Sequence, residues 1–467
     1  MGLLLIGAER FRELGKDTKR GTYLERKTAE SKSMLADCQA FCEVSYPGIV
    51  FTREDAQKAI NQFTSDSVDF VLAIFLSWAE DFAWNRFLRD MPTVPILFAH
   101  RVKDEVVLLN TSDDDEFTEY LCYGGLVGTL EASGDCRRYE RPMFETALGT
   151  WNEILQRAKT FGRASHARKQ LKSSNLGLLA CYNEAMWSTY IDPYDLFMQV
   201  GPELKFFSVA ELEDEVKALS SEEVEAVSKK LVDDYGIEKD VDHSKFLASV
   251  AASMAMEKLA KANDLDLLVL NDIDTILFKH IGLRPGFWPT SDDVQTLIVP
   301  EGDIGGGLAA FILKLVSGKP VNYIEPFHLD LPNDNFAAGH AGPNDYREHG
   351  GKTLIARDVR FAKSQWKHAG APFAWHTFSP GEKTMVHISQ CKGQFKLVAT
   401  RIESLPVEHF LATYSHGLFR AIGQSNKELF KKLMDIGVTQ HYAIASGDHL
   451  SELRDIASLL GFEYHEL

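Results

Sequence analysis

The sequence predicts an α/β protein: two doubly wound parallel-sheet domains over residues 1–165 and 166–316, followed by a β-rich, barrel-like domain over 317–467. Three observations carry this. Near-continuous apolar runs of strand length, such as Asp69-Phe-Val-Leu-Ala-Ile-Phe75 and Leu265-Asp-Leu-Leu-Val-Leu270, alternate with helical patterns, the signature of parallel sheets covered on both faces. Beyond Lys319 the pattern changes to short β-rich runs separated by turns, which argues for an antiparallel barrel or sandwich. The 467 residues are 45% hydrophobic and 25% charged, an ordinary globular balance in a chain long enough for about three domains.

In chain order, Gly2 to Ile6 reads as the first strand and about Tyr23 to Cys42 as a helix. Gly48 to Phe51 reads as the second strand, and Thr52 before Arg-Glu-Asp55 as a helix N-cap with acids in the first turn. Asp69 to Phe75 and Pro95 to Ala99 are strands, with Glu80 to Asp90 helical between them. Phe144 to about Leu171 is expected to be one helix leading out of the first domain. The second domain runs through strands at Leu176–Ala180 and Lys205–Ser208, an acidic helical stretch from Glu211 to Asp234, an Ala-rich helix from Ser244 to Ala262, and the strand Leu265–Leu270. Gln295 to Val299 is a strand and Ile304 to Val316 a helix opening on Gly305-Gly-Gly307. Glycine costs roughly 0.8 to 1.0 kcal/mol inside a helix, so three in a row imply close approach by a ligand or another backbone. A phosphate cradle is the rival reading, weakened by two acids before the glycines and no Lys-Ser/Thr after them. The last domain has β-rich runs at Thr353–Ala356, Thr384–Ile388 and Phe395–Thr400, with helices at Asn426–Ile436 and Ser451–Leu460.

Charge and composition narrow the partners. The formal net charge is −17 and its charges are scattered, so nucleic acid is not an expected partner. No window approaches the roughly 18 apolar residues of a spanning helix, and Met1–Gly7 lacks the basic region of a signal peptide, so no membrane partner is expected and the cytoplasm is the expected compartment. Six cysteines, with Cys38 and Cys42 four apart rather than in Cys-x-x-Cys, read as thiols in a reducing compartment.

The chemistry gathers between residues 299 and 340. Val299-Pro-Glu-Gly-Asp303, Asn322-Tyr-Ile-Glu-Pro-Phe-His328 and Ala337-Ala-Gly-His340 set Glu301, Glu325 and His340 at strand ends or in short Gly- and Pro-containing loops. Carboxylates with neutral imidazoles suit a divalent ion such as Mn²⁺, Co²⁺ or Zn²⁺. Tyr442-Ala-Ile-Ala-Ser-Gly-Asp-His449 offers a fourth candidate, His449, after a strand. Taken singly, a glutamate at a strand end is ordinarily a capping or solvated residue, and a histidine in a Gly-rich loop is ordinarily not a ligand.

These four residues, in this order and context, resemble the L-arabinose isomerase family and its L-fucose isomerase relatives. The resemblance is strongest in the C-terminal third. It implies Mn²⁺ bound by Glu301, Glu325, His340 and His449, and both glutamates acting in proton transfer during an aldose-ketose isomerisation of a free pentose or deoxyhexose through an enediol. Asp303 or Asp448 would orient the histidines. It further implies a homo-hexamer with sites shared between subunits, the C-terminal domain completing the metal site, and Glu9 and Phe11 after the first strand as substrate contacts. His328, three residues beyond Glu325, is a further substrate-binding candidate. The sequence departs from the arabinose enzymes at Pro326-Phe-His-Leu-Asp330 and at Leu450 after His449, so the sugar stays open.

Other residues have readings of their own. His100 and Arg101 follow a strand and can hold a hydroxyl or lie in a solvated loop. Tyr182, Trp187, Tyr190 and Tyr194 can stack on a sugar or pack. Asn271-Asp-Ile-Asp274 can bind a metal or cap the next helix. Two rival functions remain: a non-catalytic sugar-binding protein, and a metal-assisted hydrolase or lyase.

Overall fold

The computed structural model describes residues 1–467 except 104–111, 124, 275, 276, 278–285, 343, 352, 361, 366–368 and 413. The chain forms two compact units, 1–169 and 170–467. It is a mixed α/β protein: two parallel sheets flanked by helices and one mostly antiparallel sheet. Among the described residues no helix is long and apolar enough to cross a membrane, and all six cysteines are free thiols.

In the first unit β1 (Gly2–Ile6), β2 (Ile49–Val50), β3 (Val71–Phe75), β4 (Ile96–Arg101) and β5 (Phe144–Gly149) form a parallel sheet in the order β2-β1-β3-β4-β5. Every residue of β1 and β3 is buried, as their unbroken apolar sequences require. The helices Tyr23–Gln39 and Arg53–Ser65 begin in capping boxes, Thr22 with Glu25 and Thr52 with Asp55, each pair satisfying two otherwise orphaned N–H groups. The segment from Phe144 departs from the expected single helix. Phe144–Gly149 pairs with β4 as an edge strand, and the helix begins only at Trp151. An edge strand is half-covered, and Leu148 is 71% exposed. It therefore lacks the continuous apolar run that reveals the inner strands.

In the second unit β6 (Asn175–Leu179), β7 (Glu203–Phe207), β8 (Leu267–Leu270) and β9 (Leu297–Val299) form a parallel sheet in the order β7-β6-β8-β9. The acidic stretch resolves into two helices, Val209–Ala218 and Ser221–Tyr235, because Ser220 starts the second with a capping box to Glu223. The remaining strands are β10 (Asn322–Asp330), β11 (Asn335–His340), β12 (Leu354–Arg357), β13 (Pro372–Trp375), β14 (Gly381–Cys391), β15 (Gln394–Leu405), β16 (Ser415–Ala421), β17 (Tyr442–Ser446) and β18 (Glu463–Glu466). Six of them follow one another as β14-β17-β10-β11-β16-β15, and β14 also pairs with β15, so the sheet closes on itself. β18 adds to β15 in parallel, while β12 and β13 pair apart. Ile324, Phe336, Met385, Val398, Ile402 and Phe419 pack within the core of this sheet.

The helix Ile304–Ser317 joins the parallel sheet to the closed one. A Cβ on Gly305 would stand 2.6 Å from the Ile388 carbonyl, one on Gly306 2.6 Å from Tyr323 and Asp303, and one on Gly307 2.9 Å from Val269. The three glycines thus admit β14, β10 and β8 in turn. Protein fills the space a phosphate cradle would need.

Candidate metal centre

The site begins where β9 ends. Glu301 has φ +67° and Gly302 φ +70°, a left-handed turn that costs a non-glycine residue on the order of 1 kcal/mol. Three groups hold it. The Glu301 N–H donates to Asp272 Oδ1 at 2.9 Å, Asn183 Nδ2 donates to the Glu301 carbonyl at 2.8 Å, and the Gly302 N–H donates to the Leu270 carbonyl at 3.0 Å. Asn183 follows β6, and Leu270 and Asp272 lie at the end of β8. The carboxyl ends of three parallel strands, where such sheets place their ligands, therefore aim one side chain. Asn271-Asp-Ile-Asp274 is divided by this arrangement: Asp272 supports Glu301, and Asp274 Oδ1 accepts the Leu277 N–H at 2.9 Å.

Two histidines meet the Glu301 carboxylate. His340 Nε2 lies 3.6 Å from Oε1 and His441 Nε2 3.2 Å from Oε2. Both rings are buried, and Tyr323 packs between them with centroid separations of 5.0 and 4.8 Å. His340 Nδ1 faces the Ala341 carbonyl at 2.6 Å, and a carbonyl only accepts, so Nδ1 carries the hydrogen. His441 Nδ1 faces Asp303 Oδ2 at 2.9 Å and donates likewise. Asp303 is itself fixed by the Gly306 N–H at 2.8 Å and the Tyr323 hydroxyl at 2.9 Å. In the neutral rings both Nε2 atoms then present lone pairs toward Glu301.

Their approach to the carboxylate is too long or misaligned for a hydrogen bond, and Glu301 Oε2, His340 Nε2 and His441 Nε2 are all buried without a hydrogen-bond partner. Orphaned buried polar atoms are costly and call for an explanation. One atom from each of Glu301, His340 and His441 lies within 4.8 Å of the others, so this group can hold a metal ion. Two imidazoles and a carboxylate are a donor set for a divalent transition metal, and the carbonyl and carboxylate behind the rings are the usual outer partners of metal-bound histidines.

Burial pushes the Glu301 carboxyl up, but the facing His340 and His441 rings outweigh it and hold it well below the usual carboxylate range. Burial lowers His441, yet Asp303 and Glu301 together raise it to about 9. In the metal-free protein a proton on His441 thus occupies the place of positive charge.

The other candidate residues are distributed as follows. Glu325 lies on β10 two residues beyond Tyr323 and outside the group of three. The β10–β17 register, Tyr323 to Ala443, carried two residues further sets it opposite His441, and its charge acts on the Tyr323 hydroxyl. His328 is exposed, past the register shift between Pro326 and His328. His449 is not brought to Glu301. It lies beyond the far end of β17, where its N–H donates to Thr384 Oγ1 and its Nε2 meets the Ser446 carbonyl. His441 and Ser446 are separated by about 16 Å of strand. Asp448 faces Arg401 at 3.4 Å, whereas Asp303 orients His441.

In the first unit Glu9 pairs with Arg12 at 2.8 Å and Phe11 packs on Tyr23 and Trp78. Tyr182 and Tyr190 pack together, while Trp187 and Tyr194 are exposed.

Sequence reasoning missed His441. Strands of parallel sheets present functional residues at their carboxyl ends, as β9 presents Glu301, and the same habit selects His449 after β17. But β17 runs antiparallel to β10, so its beginning is the end that meets the site. A polar Gln440-His441 pair at the head of a buried strand was the available signal. No protein-family model matches this chain, and no curated protein matches it.

Proposed function

We propose that the chain is a metal-dependent aldose-ketose isomerase, an intramolecular oxidoreductase acting on a free pentose or deoxyhexose through an enediol, with Mn²⁺ held by Glu301, His340 and His441. The observation that carries this reading is the set of three buried, unpartnered ligand atoms turned toward one another. The resemblance of Glu301, Glu325 and His340 to the arabinose isomerase pattern supports the choice of reaction. The same resemblance suggests a homo-hexamer, while the alternation of strands and helices and the composition suggest two doubly wound domains with a barrel-like C-terminal domain in a cytoplasmic protein.

When bound, the cation would polarise the sugar oxygens at C1 and C2 as a Lewis acid. Glu301 directs its two oxygens at the two imidazoles and acts as a ligand. Glu325, half-buried and outside the trio, is the proton carrier: it takes the proton from C2 of the open-chain aldose and returns it to C1. The C2–H bond breaks, a C1–H bond forms, and the hydroxyl proton of O2 passes to O1, so no external oxidant or reductant is needed. Asp303 keeps His441 in the tautomer that leaves Nε2 free, and the Glu301 turn, anchored by Asp272 and Asn183, fixes the carboxylate in advance.

The test is proton NMR in D₂O of the Mn²⁺-loaded and the chelated protein with aldopentoses, 6-deoxyhexoses and tetroses. Ketose formation with deuterium entering the substrate, lost on chelation and in E325Q, is the expected result. One bound cation per chain with no turnover and no exchange across the panel would sink the isomerase reading, leaving a sugar-binding role or another metal-assisted reaction.

A further inference from the structure

The ring of His441 can present Nε2 in one fixed direction only if the backbone beneath it is held as well as its Nδ1. That backbone lies off the ladders of the closed sheet. β17 begins at Tyr442, and toward this end its pairing stops at Tyr442–Ile324 on the β10 side and at Ala443–Val386 on the β14 side. His441 therefore stands one residue outside the first ladder and two outside the second. It is fully buried nonetheless, and the chain reaches it from the helix Asn426–Ile436 through Gly437 in a left-handed turn. Peptide groups buried beyond a ladder need partners from elsewhere.

Here the partner is a side chain. His387 follows Val386 on β14 and is buried. Its Nδ1 lies 2.9 Å from the His441 carbonyl, and its Nε2 accepts the Thr439 N–H at 3.4 Å. A carbonyl only accepts, so Nδ1 carries the hydrogen and Nε2 the lone pair: both nitrogens of one rigid ring are engaged with backbone. The ring thus does for Thr439 and His441 what a further rung of the ladder would have done. Tyr442 packs beside it at a centroid separation of 5.6 Å. The next residue of β14, Ile388, presents the carbonyl on which Gly305 closes, in the turn whose N-cap is Asp303. Consecutive residues of β14 therefore act on the two supports of one imidazole, its backbone and the carboxylate at its Nδ1.

We infer that His387 is a positioning residue of the metal centre: by holding the His441 carbonyl and the Thr439 N–H, it places the imidazole whose Nε2 faces Glu301. His387 itself offers no ligand atom, because both of its nitrogens are spent on backbone groups. With its main chain held by His387 and its Nδ1 tied to Asp303 at 2.9 Å, His441 keeps its free nitrogen on one bearing. The inference rests on the metal-centre reading and is indifferent to the reaction that the cation serves.

The experiment compares the wild-type chain with H387F, which keeps an aromatic ring and removes both hydrogen bonds, and with H387N, whose amide can still donate to the His441 carbonyl. Co²⁺ is titrated in competition with a chelator while its d–d absorption is recorded, and urea unfolding of the metal-free proteins is followed in parallel. H387F is expected to hold Co²⁺ roughly 10- to 100-fold more weakly and with altered d–d bands, the loss typical of an outer partner of a ligating histidine. H387N is expected to recover the affinity to within a few-fold. Should H387F not fold, H387Q takes its place, since its longer amide reaches toward Thr439 and leaves the His441 carbonyl without its donor. A folded H387F or H387Q with wild-type affinity and wild-type bands overturns the assignment, whatever its urea midpoint, because a merely structural role moves stability alone. So does H387N binding no better than H387F. Wild-type protein that takes up no Co²⁺ overturns the metal-centre reading together with this inference, whereas equal uptake by wild type and variant overturns this inference alone.

Discussion

At the His441 end of β17 three buried polar atoms face one another without a hydrogen-bond partner. At the Ser446 end the Lys383 ammonium, 1% exposed, has a partner for each of its three N–H groups: Glu348 Oε1 at 2.7 Å, Ser379 Oγ at 2.9 Å and Ser446 Oγ at 3.0 Å. Buried charge thus borders β17 at both of its ends. The difference lies in the donors and ligand atoms: every N–H of the Lys383 ammonium has an acceptor, leaving Glu348 Oε2 alone without a partner, whereas at the His441 end all three facing atoms lack one and can hold a metal ion.

The largest effect should come from emptying the unsatisfied end. H441A is expected to leave the purified protein without its cation by elemental analysis and without isomerase turnover, and full metal content in H441A would erase the contrast. D303N should weaken metal affinity by roughly 10- to 100-fold, because Asp303 fixes the His441 ring without touching the ion; competition with a chelator measures it. At the Lys383 end K383M should cost about 3 to 5 kcal/mol in urea unfolding by stranding Glu348, while the folded fraction keeps its metal. A loss of metal in step with stability would show the two ends to be one unit.

Titration sharpens the contrast further. His441 is raised from 6.5 to about 9 in the metal-free protein, so the folded state holds the proton more tightly than the unfolded chain. That contribution, on the order of 3 kcal/mol, is complete below about pH 6.5 and lost as pH rises through about 9. Urea midpoints of chelated protein should fall across this window, and metal loading should flatten the slope. The smallest effect is expected for H449A, about 1 kcal/mol or less from its Ser446 contact, with metal content unchanged.

Much of the scaffold was legible because inner parallel strands are unbroken apolar runs and their helices carry explicit caps. Glu301 and His340 were picked out by their likeness to the arabinose isomerase pattern, because Gly and Pro beside a strand mark only that the chain turns there. β5 was hidden because an edge strand with one open face has no apolar run. His441 was hidden because its position depends on β17 running antiparallel to β10, a fact of pairing that no local pattern records. The support of Glu301 by Asn183 and Asp272 likewise joins residues about 118 and 29 positions apart.

The three glycines that open the helix Ile304–Ser317 have a mechanical consequence. An instrument maker fixes a lens with three contacts that together block every direction of travel, and this first turn is seated in the same way against β14, β10 and β8. Asp303 is the N-cap residue immediately before this turn, so the seat positions the carboxylate that orients the ring of His441. Adding one methyl group there would push the turn off its seat, weakening the fold and shifting Asp303 relative to the His441 ring together.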